Sequence, residues 1–145
     1  MRQWVVERDR IESAVAEALA SGDPGLVSAY LFGSYAAGRA HRESDVDLGV
    51  LLDWTVYPAE TSRCEEQLRL IAAFTRAVRG LPLDVVILND VPPTLARHIL
   101  TRGRRIFCGD AEADHAFLRD TLLRAADLEP CLQRMRRIKL AALAR

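Results

Sequence analysis

Hydrophobic positions along the chain switch between two periods, and the switches mark out its elements. Over residues 7–21, Ile11, Val15, Ala18 and Leu19 recur at helical spacing, which predicts an amphipathic helix. The stretch SGDPG (21–25) stops that helix and turns the chain. The run LVSAYLF (26–32) then reads as a buried strand ending at Gly33, and residues 45–53 read as a second strand. WTVYPAETS is a loop. A long helix is predicted over 62–79, with Cys64, Leu68, Ile71, Thr75 and Val78 as its inner stripe, ended by GLP (80–82). LDVVIL (83–88) reads as a third strand. Asp90 with Pro92 and Pro93 opens a short helix whose inner face is Leu95, Ala96, Ile99 and Leu100, closed by Gly103. RRIFCG adds an edge strand. From Ala111 onward the pattern is helical, through Phe117, Leu118, Leu122 and Leu123 and then Leu132, Met135, Ile138 and Leu143, with Pro130 expected to separate two helices.

The pattern therefore predicts an α+β fold, a small mixed sheet flanked by helices. At 145 residues it fits one domain over residues 1–145, with a core at about 26–108 and a helical tail at about 111–145. Half of the residues are hydrophobic and 28% are charged, with 20 Lys and Arg against 20 Asp and Glu. That balance gives no case for a polyanion partner, so no direct binding of nucleic acid is expected. The cationic stretch RMRRIK (134–139) reads as a solvated helix face. No stretch has the 18 to 20 apolar residues of a membrane span, and charges interrupt the first ten residues, MRQWVVERDR, at once. A cytoplasmic location is the expectation. Cys64, Cys108 and Cys131 are odd in number and widely spaced, and they read as buried or half-buried thiols rather than a disulfide or zinc framework.

Three carboxylates interrupt this ordinary picture. Asp45 and Asp47 lie two apart on a predicted strand, so their side chains leave the same face, with Gly49 expected to keep the floor beside them low. Val46, Leu48 and Val50 leave the other face. Asp84 sits in the next strand, again among apolar residues. Neighbouring strands lie about 4.8 Å apart, so pairing near this register would bring all three together. Two bare carboxylates 4 Å apart repel by roughly 4 kcal/mol at an effective dielectric of about 20. A divalent cation would relieve that repulsion, and all-oxygen ligation favours magnesium or manganese over zinc.

Gly33 and Ser34 meet a complementary need. Glycine at a strand end lets a phosphate approach bare backbone, and Ser34 offers a hydroxyl and an N–H at the start of the short turn SYAAG. A triphosphate held there would straddle metals held by the carboxylates, which is the arrangement phosphoryl or nucleotidyl transfer requires.

GSYAAGRAHRESDVDL, Gly-Ser followed after ten residues by Asp-x-Asp, resembles the signature of the DNA polymerase β-type nucleotidyltransferase superfamily, and LDVV resembles its third-carboxylate strand. The short chain and the DLEP at 127–130 are similar to the minimal nucleotidyltransferases, the MntA-like antitoxins paired with HEPN-domain toxins. The resemblance implies that Gly33 and Ser34 hold the triphosphate of ATP and that Asp45 and Asp47 ligate two Mg²⁺ or Mn²⁺ ions. Asp84 would ligate the catalytic metal and help deprotonate the acceptor. Ala37 departs from relatives with a larger or basic residue there, and Arg39 is the candidate replacement phosphate contact. The implied activity is transfer of AMP to a tyrosine of a partner HEPN toxin, neutralising it. The competing readings are an antitoxin that acts by binding alone and a small-molecule nucleotidyltransferase of the antibiotic-modifying type.

Other residues carry less. His41 and Arg42 fall in the loop before Asp45, where a solvated role is as good as a nucleotide contact. His98 reads as a surface residue, His115 has no assigned role, and Tyr35 is a candidate wall of the nucleotide pocket. Trp4 and Trp54 read as packing or partner contacts, because neither has the basic aromatic surroundings of a base-stacking platform.

Overall fold

The structure, a computed structural model, describes residues 3–20, 22–40 and 44–144. Ser21, the expected end of the first helix, and His41 and Arg42 lie outside the described residues, as does the side chain of Trp4.

Helix α1 (Gln3–Leu19) leads into strand β1 (Leu26–Phe32), the short helix α2 (Gly33–Ala37) and strand β2 (Val46–Leu52). Helix α3 (Glu60–Ala77), strand β3 (Leu83–Ile87), helix α4 (Pro93–Arg102), strand β4 (Arg104–Cys108) and helix α5 (Ala111–Leu143) complete the order. The sheet runs β3-β2-β1-β4, with β1 antiparallel to both β2 and β4 and β2 parallel to β3. It is the mixed sheet that the alternating pattern predicts, and RRIFC is its edge.

Period-two alternation splits the core in two. Val46, Leu48, Val50 and Leu52 face a layer made by α1 (Ile11, Val15, Leu19) and α3 (Leu70, Phe74, Val78). On the opposite face Tyr30 and Leu51 pack with Leu88, Ile99 and Leu100, partly covered by Phe117 and Leu118 of α5. A register shift between Leu26 and Ser28 turns both Val27 and Ser28 toward this α4/α5 side.

Polar anchors set the outer elements on this frame. Asp110 caps α5 by accepting from the Ala113 N–H at 3.0 Å. One turn in, the buried Asp114 accepts from Ser28 Oγ at 2.5 Å and from the Tyr30 hydroxyl at 2.8 Å, and it pairs with Arg105 at 3.0 Å. Burial, first, and the Asp114 carboxylate then hold the Tyr30 phenol well above its usual range. Asn89 clamps the end of β2, donating to the Leu52 carbonyl and accepting from its N–H, both at 2.9 Å.

Four expectations are corrected here. The inner face of α3 is Arg63, Glu66, Leu70, Phe74 and Val78, whereas Cys64 and Thr75 are exposed and Leu68 is 64% exposed. Apolarity misleads because two buried positions are charged. Arg63 is fixed by Asp90 (Nη2 to Oδ1, 2.9 Å) and Glu66 by Arg69. Second, α5 is a single helix through Pro130, not two. Third, all three cysteines are exposed, none of them taken into the core. Fourth, a Cβ on Gly49 would meet Ile99 Cγ2 at 3.0 Å and Leu88 Cδ2 at 3.3 Å. Gly49 therefore admits α4 against the strand and does not keep a floor open beside the aspartates.

Candidate active site

The end of β1 and the beginnings of β2 and β3 meet at one edge of the sheet. Phe32 pairs with Asp47, and Asp47 pairs with Asp84. The Val46 N–H donates to the Pro82 carbonyl at 2.8 Å, which fastens the two acid-bearing strands just before their carboxylates. Asp47 and Asp84 are thus register partners on adjacent parallel strands, about 4.8 Å apart in backbone spacing. The aspartates stand at this edge, where Asp45 is exposed and Asp47 only half-buried, which spares them full desolvation.

Asp47 is half-buried. Burial raises its carboxyl above the ordinary range, and the charges of Asp84 and then Asp45 raise it further. Asp84 and Asp45 are both exposed, and Asp45 stands one residue ahead of β2, so it belongs to the strand's approach and not to the strand. Ser44, immediately before it, is buried. Its polarity left no pattern to read in the sequence.

Gly33 lies against Asp47. Its φ is +74°, and an added Cβ would fall well inside van der Waals contact with Asp47 Oδ2. Both facts demand glycine, one through backbone conformation and one through space. Ser34 follows in the first turn of α2, a helix with no side-chain cap at its start. The Ser34 carbonyl accepts the N–H groups of Gly38 and Arg39, and Gly38 at φ +72° closes the turn. Arg39 is exposed at the exit of α2.

The structure thus brings Gly33, Ser34, Asp47 and Asp84 to one edge, with Asp45 beside them, whereas Arg39 is exposed past the end of α2 with no contact to the carboxylates. Tyr35 is not with them. It is 5% exposed and packed in the core on the α1 side, where burial and then Glu7 raise its phenol above the usual range. Tyr35 directly follows Ser34, but the turn of α2 sends its ring inward. His98 and His115 are exposed on α4 and α5. Trp54 is 50% exposed at the far end of β2, with the Arg63 guanidinium 4.8 Å from its ring centroid, so it does carry one basic aromatic contact that sequence spacing did not show.

Among the described residues no group of three or more His, Cys, Asp or Glu side chains is placed to hold a metal ion, so Asp45, Asp47 and Asp84 do not form a ready three-carboxylate cluster. The acidic groups near Asp47 are nevertheless oxygen donors only, and Asp84 and Asp45 both act on its charge, a donor chemistry that suits a hard divalent cation. Among the described residues no helix is long and apolar enough to cross a membrane.

A strand-end Gly-Ser beside carboxylates on two adjacent strands is the kind of arrangement nucleotidyl transfer requires. Residues 16–112 match the family model described as polymerase beta, nucleotidyltransferase, and the chain belongs to that family. It is 31% identical over 111 residues to the protein adenylyltransferase MntA of Shewanella oneidensis, spanning 77% of this chain and 74% of the relative. A chain in a crystal structure of a toxin–antitoxin with AMP-PNP superposes with a TM-score of 0.61 at 26% identity, covering 92% of this chain and 98% of that one. The tri-AMPylated Shewanella oneidensis HEPN toxin in complex with MNT antitoxin gives a TM-score of 0.58 at 22% identity over 95% of this chain and 99% of that one, a likeness of fold alone.

Proposed function

We propose that this chain is an antitoxin-type protein adenylyltransferase that moves AMP from ATP to a tyrosine hydroxyl of a partner HEPN-domain toxin. The observation that carries the reading is the register that sets Asp47 opposite Asp84 with Gly33 folded against Asp47. Support comes from the 31% identity to a protein adenylyltransferase and the 26% identity to a chain crystallised as a toxin–antitoxin with AMP-PNP.

On this reading Gly33 and Ser34 receive the triphosphate, with Arg39 as a rim contact. Asp45, Asp47 and Asp84 are the residues that would hold Mg²⁺ or Mn²⁺, which supplies neutralisation of phosphate charge. The tyrosine oxygen attacks the α-phosphorus, the bond from that phosphorus to the α–β bridging oxygen breaks, and pyrophosphate leaves. Asp84, exposed at the strand start, takes the hydroxyl proton and passes it to water. The added phosphodiester brings negative charge and bulk to a toxin surface that must bind RNA phosphate. A cytoplasmic location and a single domain over residues 1–145 belong to the same proposal.

The binding-only reading gives no role to Gly33 folded against Asp47. The test uses ATP labelled at either the α- or the γ-phosphate, with the toxin and Mg²⁺. Toxin labelled from the α-phosphate alone is the expected result. Labelling from the γ-phosphate, or none while the toxin is still neutralised, would overturn it.

A further inference from the structure

Helix α5 is 33 residues, about 50 Å, and uses less than half of that length on its own fold. Its buried residues are Asp114, Thr121 and Ala125, and no described residue after Ala125 is buried. The remaining 18 residues to Leu143 form an arm of about 27 Å. A helix of that length on its own is marginal in water, and helices in proteins owe most of their stability to a packed face.

The face that packs on the sheet does not stop at Ala125. From Thr121 and Ala125 it continues through Leu128, Leu132, Met135, Lys139 and Ala142, in alternating steps of three and four residues. That is a repeat of 3.5, the spacing of helices that pack along one another. Leu128 is 40% exposed and Met135 61%, with Ile138 at 64% on the flank. Residues 131–144 also hold Arg134, Arg136, Arg137 and Lys139 and no acidic residue.

We infer that this arm, residues 126–144, docks along a helix-lined apolar groove flanked by carboxylates on the protein acceptor. The inference rests on the proposed protein acceptor and specifies where it is held. Charge selects the occupant. A second copy packed over residues 131–144 would bring four cations against four, with Lys139 in the seam of both and the acids Asp127 and Glu129 outside it. A lipid surface would need the charges on the far face, whereas Lys139 lies within the apolar stripe. An acidic groove accommodates both features, with carboxylates opposite Lys139 and Arg134.

The experiment measures binding of the cognate HEPN-domain toxin without ATP, so that docking is read apart from transfer. Leu132→Glu with Met135→Glu should weaken toxin binding at least about tenfold, since these residues would sit at the centre of the contact. Lys139→Glu should weaken it and flatten its salt dependence. Both variants keep wild-type ATP binding and helical content as the control on folding. Unchanged toxin affinity in the double variant, or no toxin binding by the wild type, overturns the docking. Concentration-dependent dimers of the wild type alone, abolished by the double variant with toxin affinity unchanged, would assign the face to a second copy. Sedimentation with phosphatidylserine vesicles in the same pattern would assign it to a membrane. Loss of toxin binding by the variants, with no AMP transfer by the wild type, would uphold the docking and reject the enzymatic reading.

Discussion

Gly33 has no room for a methyl group, and that single position ties backbone geometry to chemistry. Gly33→Ala must bear about 1–2 kcal/mol of left-handed strain and push the Asp47 carboxylate out of its place. Urea denaturation should show at least that loss of stability, and ATP titration should show loss of nucleotide binding. Asp47 supplies a second test. Burial, then Asp84 and Asp45, raise its carboxyl in the folded protein, so its contribution to stability is full below the unfolded carboxylate range and is lost as pH rises through the folded value. In EDTA, Asp47→Asn should therefore melt above wild type at neutral pH, with the difference vanishing toward roughly pH 3. A gain that persists at that acidity would place the cause outside ionisation. These residues were legible in the sequence because carboxylates inside an apolar run, two apart, have few ordinary uses. Tyr35 was not, since adjacency to Ser34 says nothing of which way a five-residue helix turns its side chains.

Among the elements, α5 is held by one buried carboxylate. Asp114→Ala would leave Ser28 Oγ, the Tyr30 hydroxyl and Arg105 without their shared acceptor, at a cost of about 2–4 kcal/mol. Denaturation should show that loss, smaller in Asp114→Asn, which keeps an acceptor. Pro130 lies inside the same helix, where it lacks an N–H to bond the carbonyl four residues earlier. Pro130→Ala should slow amide exchange across the neighbouring turns, and unchanged exchange would mean that the helix has already absorbed the break. Sequence pattern located the strands within a residue or so, since β1 and β2 are short apolar runs buried on both faces. It misjudged α3 and α5 for physical reasons. On α3 two buried positions are charged and paired, so the apolar residues trace the wrong stripe. On α5 a long helix tolerated a proline that in a shorter one would have been a boundary.

For the whole molecule, the sheet order and the register are what bring Asp84, 37 residues further along the chain, opposite Asp47. The sequence placed Asp84 in a strand, but only the parallel pairing of β2 and β3 brings it opposite Asp47, and no local pattern encodes that pairing. The arm of α5 was likewise visible as a helix but not as exposed, because exposure depends on where the sheet ends beneath it. The central claim is transfer of AMP to a protein, and the mass of the intact acceptor tests it most directly. The HEPN-domain toxin is incubated with this chain, ATP and Mg²⁺ and its mass is read, beside the same mixture made with Asp45→Ala. The expected result is a toxin heavier by one or more whole AMP units with the wild-type chain and unchanged with the variant. A toxin that keeps its mass while losing its ribonuclease activity would contradict the account.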